Sequence, residues 1–159
     1  MLSTADLYDL HSDRVQVCTG SFCDYGGTDA FAGVIETVRC FEDNSQVRAS
    51  LERPGKGRVL LVDGGASKRC ALLGDKLAQL ACDNAWSGII VNGCIRDSAI
   101  IRTIAIGVKA LGTCPAKSEK RNLGETNVEV HFGGLNYRPG CYLYADRDGI
   151  LIAETALSE

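Results

Sequence analysis

Residues 57–99, GRVLLVDGGASKRCALLGDKLAQLACDNAWSGIIVNGCIRDSA, decide the fold. GRVLLVDGG opens the stretch with a run too apolar for a strand that keeps one face wet, and GIIVNGC repeats that character near its end. Between them, SKRCALLGDKLAQLACDNAW sets Leu73, Leu77, Leu80, Ala81 and Trp86 roughly on one helical face. That spacing predicts a helix over at least Asp75–Asn84, with Gly74 interrupting it near the start. The following DSAIIRTIAIGVKALG reads as a helix leading into a short strand, VKALGT. Strand, helix, strand, helix in that order predicts parallel pairing through crossovers.

Outward from this centre, FAGVIETVRCFED alternates through Val34, Val38 and Cys40 like a strand with one wet face. NSQVRASLER reads as a helix capped by Asn44 or Ser45 and ended by Pro54 and its glycines. STADLYDLH is a helix with Ser3 or Thr4 as N-cap. The last part, VEVHFGGLNYRPGCYLYADRDGILIAE, has period-two runs broken by turn signals. No linker or internal repeat divides the chain, so residues 1–159 read as a single α/β domain with a central parallel element and a β-rich C-terminal part.

Composition narrows the class. The chain has 17 basic and 20 acidic residues, a net charge of −3 that argues against a nucleic-acid surface. No stretch approaches the roughly 20 apolar residues of a membrane span. The start, MLSTADLYDLHSDR, is acidic where a secretion signal is basic and then apolar, which points to a cytoplasmic protein. The eight cysteines form no C-x-x-C pair, and only His11 and His131 could join them at a metal. They read as reduced, mostly buried small hydrophobes.

Chemistry in a parallel sheet collects where strands end and helices begin. Two glycine-bearing exits stand out: Asp63-Gly64-Gly65, and Gly93-Cys94-Ile95-Arg96-Asp97. If Gly74 starts a helix, the amides of Gly74, Asp75, Lys76 and Leu77 form an anion seat; otherwise it is a tolerated mid-helix glycine. Arg96 can grip a carboxylate and Asp97 can hold a divalent cation, or the pair can be a surface charge and an ordinary helix cap. Lys117–Arg121, KSEKR, reads as a solvated loop, and His131 as an alternating strand residue. Glu42 and Asp43, just before a helix, favour its positive end.

Taken together, FEDNSQV, GRVLLVDGGASKRCALLGDKLAQLA, GIIVNGCIRDSAII, IGVKALGTCPAKSEKR, VHFGGL and YADRDGILIA resemble the regulator of ribonuclease activity A (RraA-like) family. That family overlaps with the class II 4-hydroxy-4-methyl-2-oxoglutarate aldolases. The resemblance runs from about Ala5 to Ala153. It implies a swivelling β/β/α sandwich, a homotrimer with active sites at subunit boundaries, and an Asp, twenty residues, then Arg-Asp. Asp75 followed by Arg96-Asp97 meets that spacing. By resemblance, the amides of Gly74, Asp75, Lys76 and Leu77 hold a pyruvyl carboxylate, and Arg96 contacts substrate. Asp97 then binds Mg²⁺ or Mn²⁺, and Asp75 positions a water for proton transfer. Many relatives carry another acid three positions after the metal-binding Asp; here that position is Ile100.

The implied activity is a metal-dependent carbon–carbon lyase on small 2-oxo acids, an aldolase or oxaloacetate decarboxylase. The alternative is a protein that binds and restrains a ribonuclease of the ribonuclease E type. A methyltransferase label on similar sequences finds no glycine-rich cofactor loop here.

Overall fold

The structure is a computed structural model that describes residues 1–159. Helix α1 (Thr4–His11) is followed by strands β1 (Val15–Val17), β2 (Cys23–Asp24) and β3 (Phe31–Arg39). Helix α2 (Ser45–Leu51), β4 (Val59–Asp63), β5 (Ala71–Leu73), α3 (Asp75–Asp83) and β6 (Gly88–Ile95) form the middle of the chain. After α4 (Ser98–Ile101) and β7 (Gly107–Thr113) come only strands. These are β8 (Glu125–Thr126), β9 (Val130–Phe132), β10 (Leu135–Tyr137), β11 (Tyr142–Asp146) and β12 (Gly149–Ala153).

Strands β3, β4, β6 and β7 pair in parallel, as the alternation of strands and helices predicts. Both faces of this sheet are covered. Leu60, Val62, Ile89 and Val91 join Leu51 of α2, Leu77 and Ala81 of α3 and Ile101 of α4 in one core. Val59, Leu61 and Ile90 point the other way and meet Leu143, Ala145, Ile150 and Ile152 of the antiparallel strands. A β-layer between another β-layer and a helical layer is the β/β/α sandwich. Two covered faces explain why β4 and β6 are continuous apolar runs. Burying each such side chain stabilises the fold by about 1.5–3 kcal/mol.

Strand β3 belongs to both layers. Phe31–Val34 pair antiparallel with β11, and Ile35–Arg39 pair parallel with β4. The expected turns also form: Gly133-Gly134 joins β9 to β10, and Arg147-Asp148 joins β11 to β12. All eight thiols are free, and Cys18, Cys40, Cys70, Cys94 and Cys141 are buried. No helix is long and apolar enough to cross a membrane.

The helical spacing misleads at two places. Leu73 is not on the face of α3 but ends the short strand β5, which pairs in parallel with Cys94 and Ile95 of β6. Helix α4 stops after four residues instead of running towards Ile106. The chain beyond it turns and bends into β7, because the carbonyls of Ile104, Ile106 and Val108 accept backbone hydrogen bonds from Gly27, Thr28 and Tyr25. Tertiary pairing overrides local helical preference there.

One feature of the sheet places the candidate residues. Strand β4 ends its pairing at Asp63, opposite Asn92, whereas β6 continues past it alongside β5. The backbone N–H of Arg96 donates to the Leu73 carbonyl at 2.9 Å. The end of β6 is thereby fastened beside the start of α3.

Candidate active site

Gly74 is the N-cap residue of α3, in extended conformation (φ −124°, ψ −173°), and its carbonyl accepts from Ala78 N–H at 3.0 Å. The break reading of Gly74 is therefore the one realised. A β-carbon at Gly74 would lie 2.9 Å from Asp97 Oδ2, too close without a shift, and in ordinary contact at 3.6 Å from Arg96 Nε, so glycine leaves room for the Asp97 carboxylate at the helix start. The amide of Asp75 donates to Asp97 Oδ2 at 3.2 Å. Those of Lys76 and Leu77 have no acceptor within the helix, as at any helix start.

Asp97 occupies the cap position of α4, but its side chain makes no capping bond there. It reaches across to cap α3 instead. Its backbone is left-handed (φ 58°, ψ 37°), a conformation that costs roughly 1 kcal/mol or more outside glycine and that Asp tolerates better than most residues. This twist turns the carboxylate out of its own helix and towards Gly74. Arg96 Nε lies 3.9 Å from Asp97 Oδ2, and Arg96 Nη1 is 3.5 Å from the Pro115 carbonyl. Both side chains are partly open to solvent.

Asp75, Arg96 and Asp97, separated by twenty residues in sequence, thus line one cleft of about 260 Å³ with Gly74, Lys76 and Leu77. Asn44, Arg48, Lys117, Ser118 and Lys120 also line it. The lining carries five cationic side chains, Arg48, Lys76, Arg96, Lys117 and Lys120, against the carboxylates of Asp75 and Asp97. That excess suits a small anionic ligand. Asn44 Nδ2 donates to the Leu72 carbonyl at 3.3 Å, while Asn44 Oδ1 is buried without a partner. A buried unpaired acceptor is costly and suits a donor arriving in the cleft.

The donor set fits a hard divalent cation. Asp97 and Asp75 supply carboxylate oxygens, and no group of three or more His, Cys, Asp or Glu side chains is placed to enclose an ion. Mg²⁺ and Mn²⁺ suit such an open oxygen site, because Mg²⁺ keeps several waters and needs only one or two carboxylates. Zinc, which favours a closed set of Cys and His, does not.

Other candidates from the sequence fall outside the cleft or change meaning. The Asp63-Gly64-Gly65 exit is a structural turn: Asp63 Oδ1 accepts from Gly65 N–H and Asn92 Nδ2, both at 3.0 Å. His131 lies on β9, with Nδ1 2.6 Å from Asn136 Oδ1 across the hairpin. Glu42 pairs with Arg69 rather than with a helix end. Asp43 does serve the start of α2, accepting from Ser45 N–H at 2.8 Å. The KSEKR segment is not simply a solvated loop, since Ser118 is buried and Lys117 and Lys120 reach the cleft.

Two further hollows lack the same convergence. The largest, about 860 Å³, lies against β1 and β10, where Arg138 is paired with Glu154 and His131 with Asn136. A groove of about 470 Å³ between α3 and α4 adjoins the cleft at Asp75 and Lys76, and Ile100 lines it from α4. Ile100 therefore faces the neighbouring groove and is absent from the cleft lining.

Comparison with known proteins places the chain in a family. The family model described as "RraA-like: Aldolase/RraA" matches residues 4–152. A protein of Aromatoleum aromaticum named "Putative 4-hydroxy-4-methyl-2-oxoglutarate aldolase" is 52% identical over 154 residues, covering 97% of each chain. One of the same name from Pseudomonas putida is 48% identical, over 97% of this chain and 94% of the other. Among solved structures, the RNA-processing inhibitor RraA from Thermus thermophilis has a TM-score of 0.95 and 42% identity, over 99% of this chain and 96% of that one. A Geobacillus kaustophilus protein titled S-adenosylmethionine: 2-dimethylmenaquinone methyltransferase also has a TM-score of 0.95, at 51% identity, over 98% and 97%. With an α3 start that seats Asp97, a fold shared at this level and a match over nearly the whole chain, this protein belongs to the RraA-like family.

Proposed function

We propose that the cleft is the active site of a divalent-cation-dependent lyase acting on small 2-oxo acids. The reactions are retro-aldol cleavage of 4-hydroxy-4-methyl-2-oxoglutarate and decarboxylation of oxaloacetate. The observation that carries this reading is the convergence of Asp75, Arg96 and Asp97 on the amides that open α3. The names of relatives at about half identity support it.

Both reactions break the C3–C4 bond and leave the electron pair on pyruvate as its enolate. In the first, the C4 hydroxyl loses its proton and the departing half is a second pyruvate. In the second, the departing half is CO₂. In each, the enolate takes a proton at C3. Asp97 would hold Mg²⁺ or Mn²⁺, which when bound supplies electrophilic stabilisation of negative charge developing on the 2-oxo oxygen. The free amides of Lys76 and Leu77 seat the substrate carboxylate at the positive end of α3. Arg96, beside the start of α3, orients the substrate and balances its charge. Asp75, on the first turn, positions a water that takes the C4 hydroxyl proton and returns it to C3 in the cleavage, and that donates a proton to C3 in the decarboxylation.

A coupled assay for pyruvate release with both substrates tests this reading. Turnover is expected with Mg²⁺ and its loss with chelator. Arg96→Ala should lower kcat/KM by about 100- to 1000-fold while circular dichroism stays native. Turnover that survives either change rejects the mechanism.

The likeness to an RNA-processing inhibitor at 42% identity favours a second reading, a protein that restrains a ribonuclease. Binding to a purified ribonuclease of the ribonuclease E type, compared between wild type and Asp97→Ala, separates the two. Undiminished inhibition by the variant would assign that role to the surface rather than the cleft.

A further inference from the structure

Asp43 lies outside the cleft lining, yet it organises one of its walls. The residue is 3% exposed. Oδ1 accepts from the amide of Ser45 at 2.8 Å and from Ser45 Oγ at 2.5 Å. Oδ2 accepts from the amides of Arg121, at 2.7 Å, and Leu123, at 3.2 Å. One carboxylate therefore joins the start of α2 to a loop almost eighty residues further along the chain.

The surrounding bonds repeat the same pairing. Asn44 N–H donates to Ser118 Oγ at 3.2 Å, and Glu119 N–H to the Glu42 carbonyl at 3.2 Å. Asn122 N–H donates to Ser45 Oγ at 3.2 Å. Residues 118–123 are thus zipped onto residues 42–45. On its other side the loop is tied to β5, where Ala71 N–H donates to the Ala116 carbonyl at 2.7 Å. Lys120 stands between Glu119 and Arg121, whose amides are both held, and it reaches the cleft from an otherwise irregular segment.

We propose that Asp43 is a positioning residue of this active site, acting through the 118–123 loop to hold Lys120 at the wall of the cleft that Arg96 also lines. The inference rests on the lyase reading of the cleft. An irregular loop does not by itself fix a long, flexible lysine, and a cation contributes more to binding where its placement is set before substrate arrives. Two loop amides on one buried carboxylate provide that placement at the backbone. Asp43 touches no substrate. Replacing it loosens the presentation of a binding group while leaving Asp75, Arg96 and Asp97 in place. The expected signature is a rise in KM with kcat nearly unchanged.

A double-mutant cycle on the intact protein with Mn²⁺ tests this. Asp43→Asn should raise KM for oxaloacetate, and the Kd of the enolate analogue oxalate, by roughly tenfold, the size of coupling seen between neighbouring groups. In a Lys120→Met background, the same change should alter both by less than about twofold. Multiplicative effects of the two substitutions, or an Asp43→Asn protein that loses kcat with KM unchanged, overturn the inference and leave the lyase reading intact. A wild-type protein that neither turns over nor binds oxalate overturns both. If Asp43→Asn does not fold, Ser118→Ala takes its place, since it releases the same loop at the Asn44 amide.

Discussion

Asp97 does the work of a cap for a helix other than its own. Its left-handed backbone aims the carboxylate at the start of α3, and the missing side chain of Gly74 makes room for it. Gly74→Ala keeps an extended backbone that alanine adopts freely, so the fold should survive. The added methyl group would lie 2.9 Å from Asp97 Oδ2 and force it aside. An ångström-scale displacement of reacting groups costs up to about 100-fold in rate. The expected result is a fall in kcat/KM of that order with little change in Tm; unchanged turnover would show that Asp97 works from another position.

The junction of α2 with the 118–123 loop is the element whose electrostatics are most distinctive. Burial alone would raise the pKa of Asp43, but the Ser45 hydroxyl and the amides of Ser45, Arg121 and Leu123 outweigh it and bring it down to about 2. A carboxyl group depressed in the folded state contributes stability above its unfolded pKa. That contribution is lost as pH falls from about 4 through about 2, and it amounts to about 2 kcal/mol. Asp146 acts in the same direction, holding Thr4 N–H and Oγ1 at 2.7 Å each and so docking α1. Urea unfolding across this pH range should therefore show wild-type stability falling, with the gap to Asp43→Asn closing towards pH 2. A gap that stays constant would mean that the carboxylate charge is not what holds the loop.

At the scale of the whole molecule, the two cores on either side of the parallel sheet set which thiols are reachable. Cys23 is exposed and Cys82 and Cys114 are half-buried, whereas the other five are buried. Cys40 is the extreme case, where burial first and then the nearby Asp43 and Asp63 charges push its pKa up to about 12. A thiol reagent at pH 8 should label no more than three cysteines quickly, and the remaining five only at the rate of unfolding. Rapid labelling of Cys40 in the native protein would contradict the packing of β3 against α2 and β4.

The sequence by itself determined the parallel centre, because β4 and β6 must bury both faces and therefore carry unbroken apolar runs, while amphipathic α3 covers one of them. It also carried the spacing from Asp75 to Arg96-Asp97, but it left Gly74 open between a helix start and a mid-helix glycine, which the structure decided. Local pattern could not reveal that Leu73 would pair as a strand, nor that Asp97 would leave its own helix uncapped. Both depend on β6 outlasting β4 and meeting β5. Nor could it show that KSEKR forms a cleft wall. That segment has no periodicity of its own, and its shape comes from Asp43 and its neighbours, far away in the chain. Periodic burial is written into the order of residues. The approach of loops distant in sequence follows only from a sheet that has already brought their ends together.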